Sequence, residues 1–399
     1  MRLRDRLRTS GAVRGFGAPP TRRTFLAMLG SAGAVRLVPQ PHGLVPSGAE
    51  ARPTLLCVGA LTGGGSGAIH TLAVQGGRCE PLGSIPSEQP LALASHPARP
   101  IIYAANSVNR YRHEPRGTVE AVLVDQRTGQ LERVACQPLS LSATYPRSLA
   151  VSPDGRSLLV AAFGGGAYNI LPLDESGVPG APSAILKQVG RGAHFPDQGS
   201  AHPASVVFVR QHLMGIAADF GADRLDLLSP DPNAPRKFTI VNRIACRPGS
   251  GPCALALHRE GGLLVAAQRL RPALTIFRLV PPAHLEQSGE IPLPSTPAAI
   301  TWCPQQEILY TVLTERSCLS HLHVWQLDPA AGTLRRIAEA ALPAADIRAI
   351  HAGPAALYLA SERGLITVNL DHTSRTPLLT TGLSAAVRGA VSLAAVTRA

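Results

Sequence analysis

The sequence predicts an all-β protein, a seven-bladed β-propeller of four-stranded antiparallel blades whose N- and C-terminal strands close the ring. Three observations lead there. Gly 38 and Pro 36 approach a fifth of the 399 residues, punctuation that long helices do not tolerate. One type of short apolar strand recurs six times, as in Ile101-Ile102-Tyr103-Ala104-Ala105 and Leu158-Leu159-Val160-Ala161-Ala162. The prolines that open the repeats (Pro90, Pro146, Pro203, Pro252 and Pro297) lie 56, 57, 49 and 45 residues apart. Four strands of ~5–6 residues with their turns need about that length.

Each repeat runs from a proline or polar corner into a short first strand, a turn, and the apolar second strand. Met214 to Ala218, Leu263 to Ala267, Ile308 to Val312 and Ala356 to Ala360 continue that series. Third strands end in acidic turns at Asp125, Asp174, Asp328 and Asp371, and Thr128-Gly129-Gln130-Leu131 leads into a fourth strand. Six units are complete in this way. Residues 54–86 together with Val387 to Val396 supply the seventh, which joins the chain ends and leaves no open sheet edge.

Residues 1–51 precede the repeats and read differently. Thr21-Arg22-Arg23-Thr24-Phe25-Leu26 fits a twin-arginine export signal. The apolar stretch from Phe25 to Val35 is too short for a membrane span of ~20 residues. Ala49-Glu50-Ala51 offers small residues for cleavage, so the mature propeller is expected over 52–399. The expected location is periplasmic or secreted, with the twin-arginine translocase as export partner and a monomer as product.

The net charge of +12 does not signal nucleic-acid binding. Half of the excess comes from eight arginines within residues 1–51, and aromatics for base stacking make up only 4%. All seven cysteines lie in the propeller without a Cys-x-x-Cys pair, so no haem attachment or zinc knuckle is encoded and no cofactor is expected. They read as buried thiols, with one pairing, such as Cys246 with Cys253, left open. His321 and His323 alternate on one strand face, but no third metal ligand accompanies them.

Strands one and two of a blade run antiparallel, so the start of one and the end of the other meet at the same mouth of the central channel. That geometry gathers Arg147, His202, Asp219, Asp223, Cys253, Arg269, Arg316 and Arg348. A site that activates water for attack on a carbonyl requires a base, and cations or N–H donors for the developing oxyanion. His202 suits the base. Asp219 or Asp223 orients it, or else bonds the backbone of the Gly221 turn. Arg147, Arg269, Arg316 and Arg348 suit a carboxylate or phosphate of the ligand.

Three motifs then resemble the lactonase family of seven-bladed propellers, which includes 6-phosphogluconolactonases and fungal carboxymuconate lactonizing enzymes. Tyr145 to Arg156, continuing to Phe163-Gly164-Gly165-Gly166, is similar to the family's P-x-x-L-x-V-x-P-x-G-R…N-Y-x-G-G run. His202-Pro203-Ala204-Ser205-Val206, with Asp219-Phe220-Gly221-Ala222-Asp223-Arg224, resembles H-x-H-S-V…D-L-G-A-D-R. Pro248-Gly249-Ser250-Gly251-Pro252 through His258 resembles P-G-S-G-P-R-H-L-x-F-H-P. The likeness covers roughly residues 90–340. It implies lactone hydrolysis without a metal, with His202, Asp219 and Asp223 as catalytic candidates and Arg316 in place of the family's later N-R-G. The departures fall at Cys253-Ala254, where the family has Arg-His, at Arg269, where it has Glu, and at Ala162-Phe163, where it has Asn-Tyr. They keep open a second expectation, a non-catalytic propeller that binds an anionic ligand or a protein partner at its mouth.

Overall fold

The computed structural model describes residues 54–396, apart from 64–65, 76–77, 316–318, 345, 355, 371–378 and 385–386. The twin-arginine segment, Arg316 and Cys318 lie outside the described residues. All elements described are strands.

The chain enters through β1 (Thr54–Gly63), β2 (Ser66–Gln75) and β3 (Arg78–Ser87). Blade 2 is β4 (Pro90–Ser95), β5 (Ile101–Asn106), β6 (Thr118–Val124) and β7 (Leu131–Pro138). Blade 3 is β8 (Pro146–Val151), β9 (Ser157–Ala162), β10 (Ala167–Pro172) and β11 (Ala184–Lys187). Blade 4 is β12 (Pro203–Val209), β13 (Met214–Asp219), β14 (Arg224–Asp231) and β15 (Ala234–Ala245). Blade 5 is β16 (Pro252–Leu257), β17 (Leu263–Gln268), β18 (Ala273–Val280) and β19 (His284–Pro292). Blade 6 is β20 (Thr296–Trp302), β21 (Ile308–Thr314), β22 (Ser320–Asp328) and β23 (Thr333–Leu342). Blade 7 is β24 (Ala349–Ala352), β25 (Ala356–Ser361), β26 (Gly364–Leu370) and β27 (Leu379–Ser384). The last strand, β28 (Ala390–Ala395), pairs antiparallel with β1 and makes the innermost strand of blade 1.

Burial explains the repeated sequence. Every residue of β5, β9, β13, β17 and β25 is buried, because neighbouring blades cover both faces of a blade's second strand. A strand buried on two faces reads as a continuous apolar run. The outer strands carry exposed charges instead, such as Arg78 and Glu80 on β3 and Glu132 and Arg133 on β7, which discourage edge pairing. The core is distributed between blades. Tyr103 and Val119 of blade 2 pack with Leu149, Leu158 and Val160 of blade 3, and Leu56 and Val58 of β1 pack with Leu357's neighbours Ala356 and Tyr358 of blade 7. Each such aliphatic or aromatic side chain contributes ~1.5–3 kcal/mol when fully buried.

Ring closure is specific. Buried Ser392 of β28 donates through Oγ to the Pro90 carbonyl of blade 2 at 2.6 Å. At Gly59 of β1, an added Cβ would stand 2.4 Å from that carbonyl oxygen, so only glycine fits. The terminal pairing expected from the sequence is therefore the one that forms.

The opening prolines mark a device the repeat alone does not reveal. In blades 2 to 6 the register between first and second strands shifts directly after the proline. The bulged residues are Leu91, Arg147, Ala204, Cys253 and Ala298. Arg348 takes the same place ahead of β24: its N–H donates at 3.0 Å to the Ala360 carbonyl, and Ala360 also pairs with Ala349. A bulge re-aims its extra residue out of the ladder. Here the re-aimed positions include two arginines and a cysteine.

Candidate functional site

The site begins with His202, the residue before the opening proline of blade 4. Its Nδ1 lies 2.9 Å from the Phe163 carbonyl oxygen at the end of β9. A carbonyl can only accept, so Nδ1 carries the hydrogen, and Nε2 of the neutral ring keeps its lone pair. That is the tautomer a general base requires. Ser200 Oγ lies 3.4 Å from Nε2. The imidazole also stacks on the Phe163 ring, with centroids 4.6 Å apart and planes at 16°.

Phe163 joins this histidine to the cationic mouth. The Arg147 guanidinium carbon stands 4.3 Å from the Phe163 ring centroid, a distance at which the ring quadrupole attracts the cation. The crowding of protein atoms around Arg147 lowers its pKa, and the nearby cations Arg269 and Arg348 lower it further, against an opposing effect of Cys253. Arginine starts so high that it stays charged at neutral pH. Arg147, Arg269 and Arg348 are all exposed, so the mouth presents three cations to solvent from blades 3, 5 and 7. Desolvation pushes the Cys253 thiol up to about 11, although Arg269 and Arg147 pull the other way. Cys253 is therefore a neutral thiol at physiological pH. Where the resemblance implies an arginine on blade 5, the equivalent bulge of blade 3 supplies one instead.

Asp219 and Asp223 do different work from the role of orienting the imidazole. Asp219 is fully buried, and its Oδ1 accepts from the main-chain N–H groups of His202 at 2.7 Å, Gly221 at 3.1 Å and Ala222 at 3.2 Å. It positions the backbone of His202, while the Phe163 carbonyl positions the ring. Desolvation raises the Asp219 pKa, and the His202 N–H and Arg224 oppose that rise. Asp223 accepts from Gly249 N–H at 2.7 Å, Gly251 N–H at 2.8 Å, Ser250 Oγ at 3.3 Å and Gln198 Nε2 at 2.8 Å. The Asp219–Arg224 and Pro248–Pro252 motifs are thus halves of one clasp between blades 4 and 5. Asp219 bonds the Gly221 turn, one of the two roles the sequence left open, whereas Asp223 bonds the Gly249–Gly251 turn of the next blade.

Arg316, read from the sequence as a ligand-holding arginine, lies outside the described residues. His321 and His323 are occupied by Glu339, at 3.4 and 3.5 Å, and His321 also meets Glu315 at 3.5 Å. Among the described residues, no three His, Cys, Asp or Glu side chains are grouped to hold a metal ion. Cys246 and Cys253 are free thiols, so the pairing left open between them does not form. Sequence reasoning missed Phe163 as a platform and Ser200 as a neighbour of the base. The aromatic at 163 was visible only as a departure from Asn-Tyr, and nothing in the 188–201 loop marked Ser200.

Comparison with known proteins agrees with this architecture. Residues 55–367 match the family model described as Lactonase, 7-bladed beta-propeller. A curated 6-phosphogluconolactonase of Bacillus subtilis (strain 168) is 24% identical over 204 residues, which cover 50% of this chain and 55% of that protein. The match thus spans about half the length of that relative. The solved periplasmic gluconolactonase of Pseudomonas aeruginosa superposes with a TM-score of 0.76 at 21% identity, covering 86% of this chain and 99% of that one. A solved structure from Bacteroides fragilis NCTC 9343 gives a TM-score of 0.77 at 19% identity over 88% and 99% of the two chains. At such identities the structural likeness speaks for the fold, and the family model, matched over most of the chain, decides the family. The chain belongs to the lactonase family of seven-bladed β-propellers.

Proposed function

We propose that this protein hydrolyses a lactone bearing an anionic group, with His202 as general base and the mouth arginines as substrate clamp. The observation that carries this reading is the 2.9 Å contact between His202 Nδ1 and the Phe163 carbonyl, which sets the proton on Nδ1 and leaves the lone pair of Nε2, beside Ser200, to take a proton from water. Attack of that water on the lactone carbonyl forms the C–O bond. The ring oxygen then departs with the proton that Nε2 has taken, and the product is a hydroxy acid. Arg147, Arg269 and Arg348 hold the substrate's carboxylate or phosphate and steady the developing oxyanion. No step calls for a metal.

The test follows proton release from neutral, carboxylated and phosphorylated lactones. Arg147→Ala is expected to raise KM for the anionic lactones about tenfold, the scale of one charge-assisted hydrogen bond, and to leave the neutral one nearly unchanged. Background rates for wild type with every lactone would overturn the enzyme reading. Arg147-dependent binding without turnover would then favour a propeller that kept its anion pocket, in keeping with Cys253 and Arg269 at the departed positions.

Export is part of the same proposal. Arg22 and Arg23 stand ahead of a short apolar stretch, and the similar Pseudomonas aeruginosa protein is described as periplasmic. Changing both arginines to lysine is expected to hold the precursor in the cytoplasm. An unchanged periplasmic fraction in the double variant would refute the twin-arginine assignment.

A further inference from the structure

A groove of about 460 Å³ opens beside His202 on the same face as the mouth, between the Gly164–Gly166 turn of blade 3 and the 188–201 segment that leads to blade 4. Its volume falls within the ~300–1,000 Å³ of typical small-molecule sites. Two cations line it, Lys187 at the end of β11 and Arg191 four residues on, and no carboxylate does. Among the described residues neither cation has an acidic partner. Lys187 Nζ donates to the Gly165 carbonyl, which spends one of its three N–H groups and fixes the ammonium against the groove wall. Arg191 is exposed, and its five donors are available.

The frame around these cations is built rather than loose. Gln198 is buried, and its Nε2 donates to the Phe220 carbonyl at 2.7 Å and to Asp223 at 2.8 Å. Its Oε1 accepts the His194 N–H at 3.1 Å. Arg224 binds the Val189 carbonyl at 2.9 Å and Gln188 Oε1 at 2.8 Å from below. Both ends of the segment are therefore tied to the clasp that also carries Asp219 and Asp223. The groove reaches the base through Ser200, which lines it and stands 3.4 Å from His202 Nε2. Of the mouth arginines, Arg147 reaches the same histidine through Phe163.

We infer that Lys187 and Arg191 form a second anion subsite, so that the ligand carries two separate anionic groups, one held at the mouth and one in the groove. The inference rests on the lactonase reading only for its link to turnover. Two like charges sharing one concave wall repel each other, and a carboxylate or phosphate between them replaces that repulsion with charge-assisted hydrogen bonds. A molecule with one anion satisfies the mouth or the groove, whereas a dianion satisfies both.

Calorimetric titration of the propeller with gluconate, glucarate, 6-phosphogluconate and inorganic phosphate tests this. Wild type is expected to bind the two dianionic acids at least tenfold more tightly than gluconate. Lys187→Ala/Arg191→Ala is expected to erase that advantage, leave gluconate affinity within twofold, and keep the melting temperature within about two degrees. The difference between glucarate and 6-phosphogluconate tells whether a carboxylate or a phosphate suits the groove, and the part of inorganic phosphate binding that Lys187→Ala/Arg191→Ala removes reports the groove. Equal affinity for mono- and dianionic acids in wild type, or a double variant that binds like wild type, overturns the subsite. Groove-dependent binding without hydrolysis of any lactone sinks the enzyme reading and leaves the subsite standing. Hydrolysis with a KM for charged lactones that the double variant does not alter sinks the subsite alone.

Discussion

Replacing His202 with alanine is expected to lower kcat for the best lactone by ~10²–10⁴-fold, the usual contribution of a positioned base. The loss should fall on kcat more than on KM, because the arginines that hold the anion are separate side chains. It should not reflect unfolding. The ring is only half-buried, and its removal leaves intact the main-chain N–H that Asp219 accepts at 2.7 Å. Unfolding midpoints in urea for the two proteins are expected to agree closely. His202→Gln is a useful companion: its amide can keep the bond to the Phe163 carbonyl yet has no basic nitrogen. If catalysis depends on the base, the glutamine variant is as slow as the alanine one. A kcat within threefold of wild type for either variant would place the base elsewhere.

How much of this was legible without coordinates depends on the range of the interaction. The second strands of the blades announced themselves because burial on both faces selects continuous apolar runs, and Leu158 to Ala162 is buried throughout. Closure was legible as well, because an unpaired Val387 to Val396 needed a partner and β1 needed an inner neighbour. The site was only half legible. His202 and the arginines could be assigned to one face, since antiparallel connection fixes which strand ends meet. The bulges could not be foreseen. A one-residue slip between Pro146 and Ser148 re-aims Arg147 without changing any residue type. The clasp escaped for a related reason. Asp223 and the Gly249–Gly251 turn are about 26 residues apart, and only the stacking of blade 5 on blade 4 brings them within 2.8 Å. The groove depends on a segment with neither strand nor helix periodicity, whose shape comes from the buried amide of Gln198. Motif likeness singled out Asp219 and Asp223 as residues, but not the main-chain N–H groups that their carboxylates accept.

Beneath the site lies the interaction whose loss should matter most to the fold. Arg224 is nearly buried, and it lies 3.2 Å from Asp219 and 3.3 Å from Asp226, two carboxylates with no exposure at all. Tyr168 of blade 3 donates to Asp226 at 3.0 Å, and Arg243 approaches it at 3.4 Å from an exposed position. Arg224→Met keeps the stem's packing and removes the cation, which leaves two buried anions with one half-hydrated arginine between them and solvent. Breaking a buried pair in this way costs ~3–5 kcal/mol, so a loss of that size is expected from urea unfolding at pH 7.5. The pH dependence has a definite sign. Desolvation already raises the folded-state pKa of Asp219 and of Asp226 above the ordinary carboxylate value, with Arg224 opposing it in both. Between the unfolded and folded values the native state binds more protons, so their contribution to stability grows as pH falls and shrinks as pH rises. Removing Arg224 lifts both folded values further and extends that window upward. The deficit of Arg224→Met relative to wild type should therefore be largest at neutral pH and narrow steadily toward pH 5, as the two carboxyls take up protons and cease to be uncompensated charges. A deficit below 1 kcal/mol, or one that stays flat across this range, would mean that Arg224 serves only the groove above it and not the pair of acids it touches.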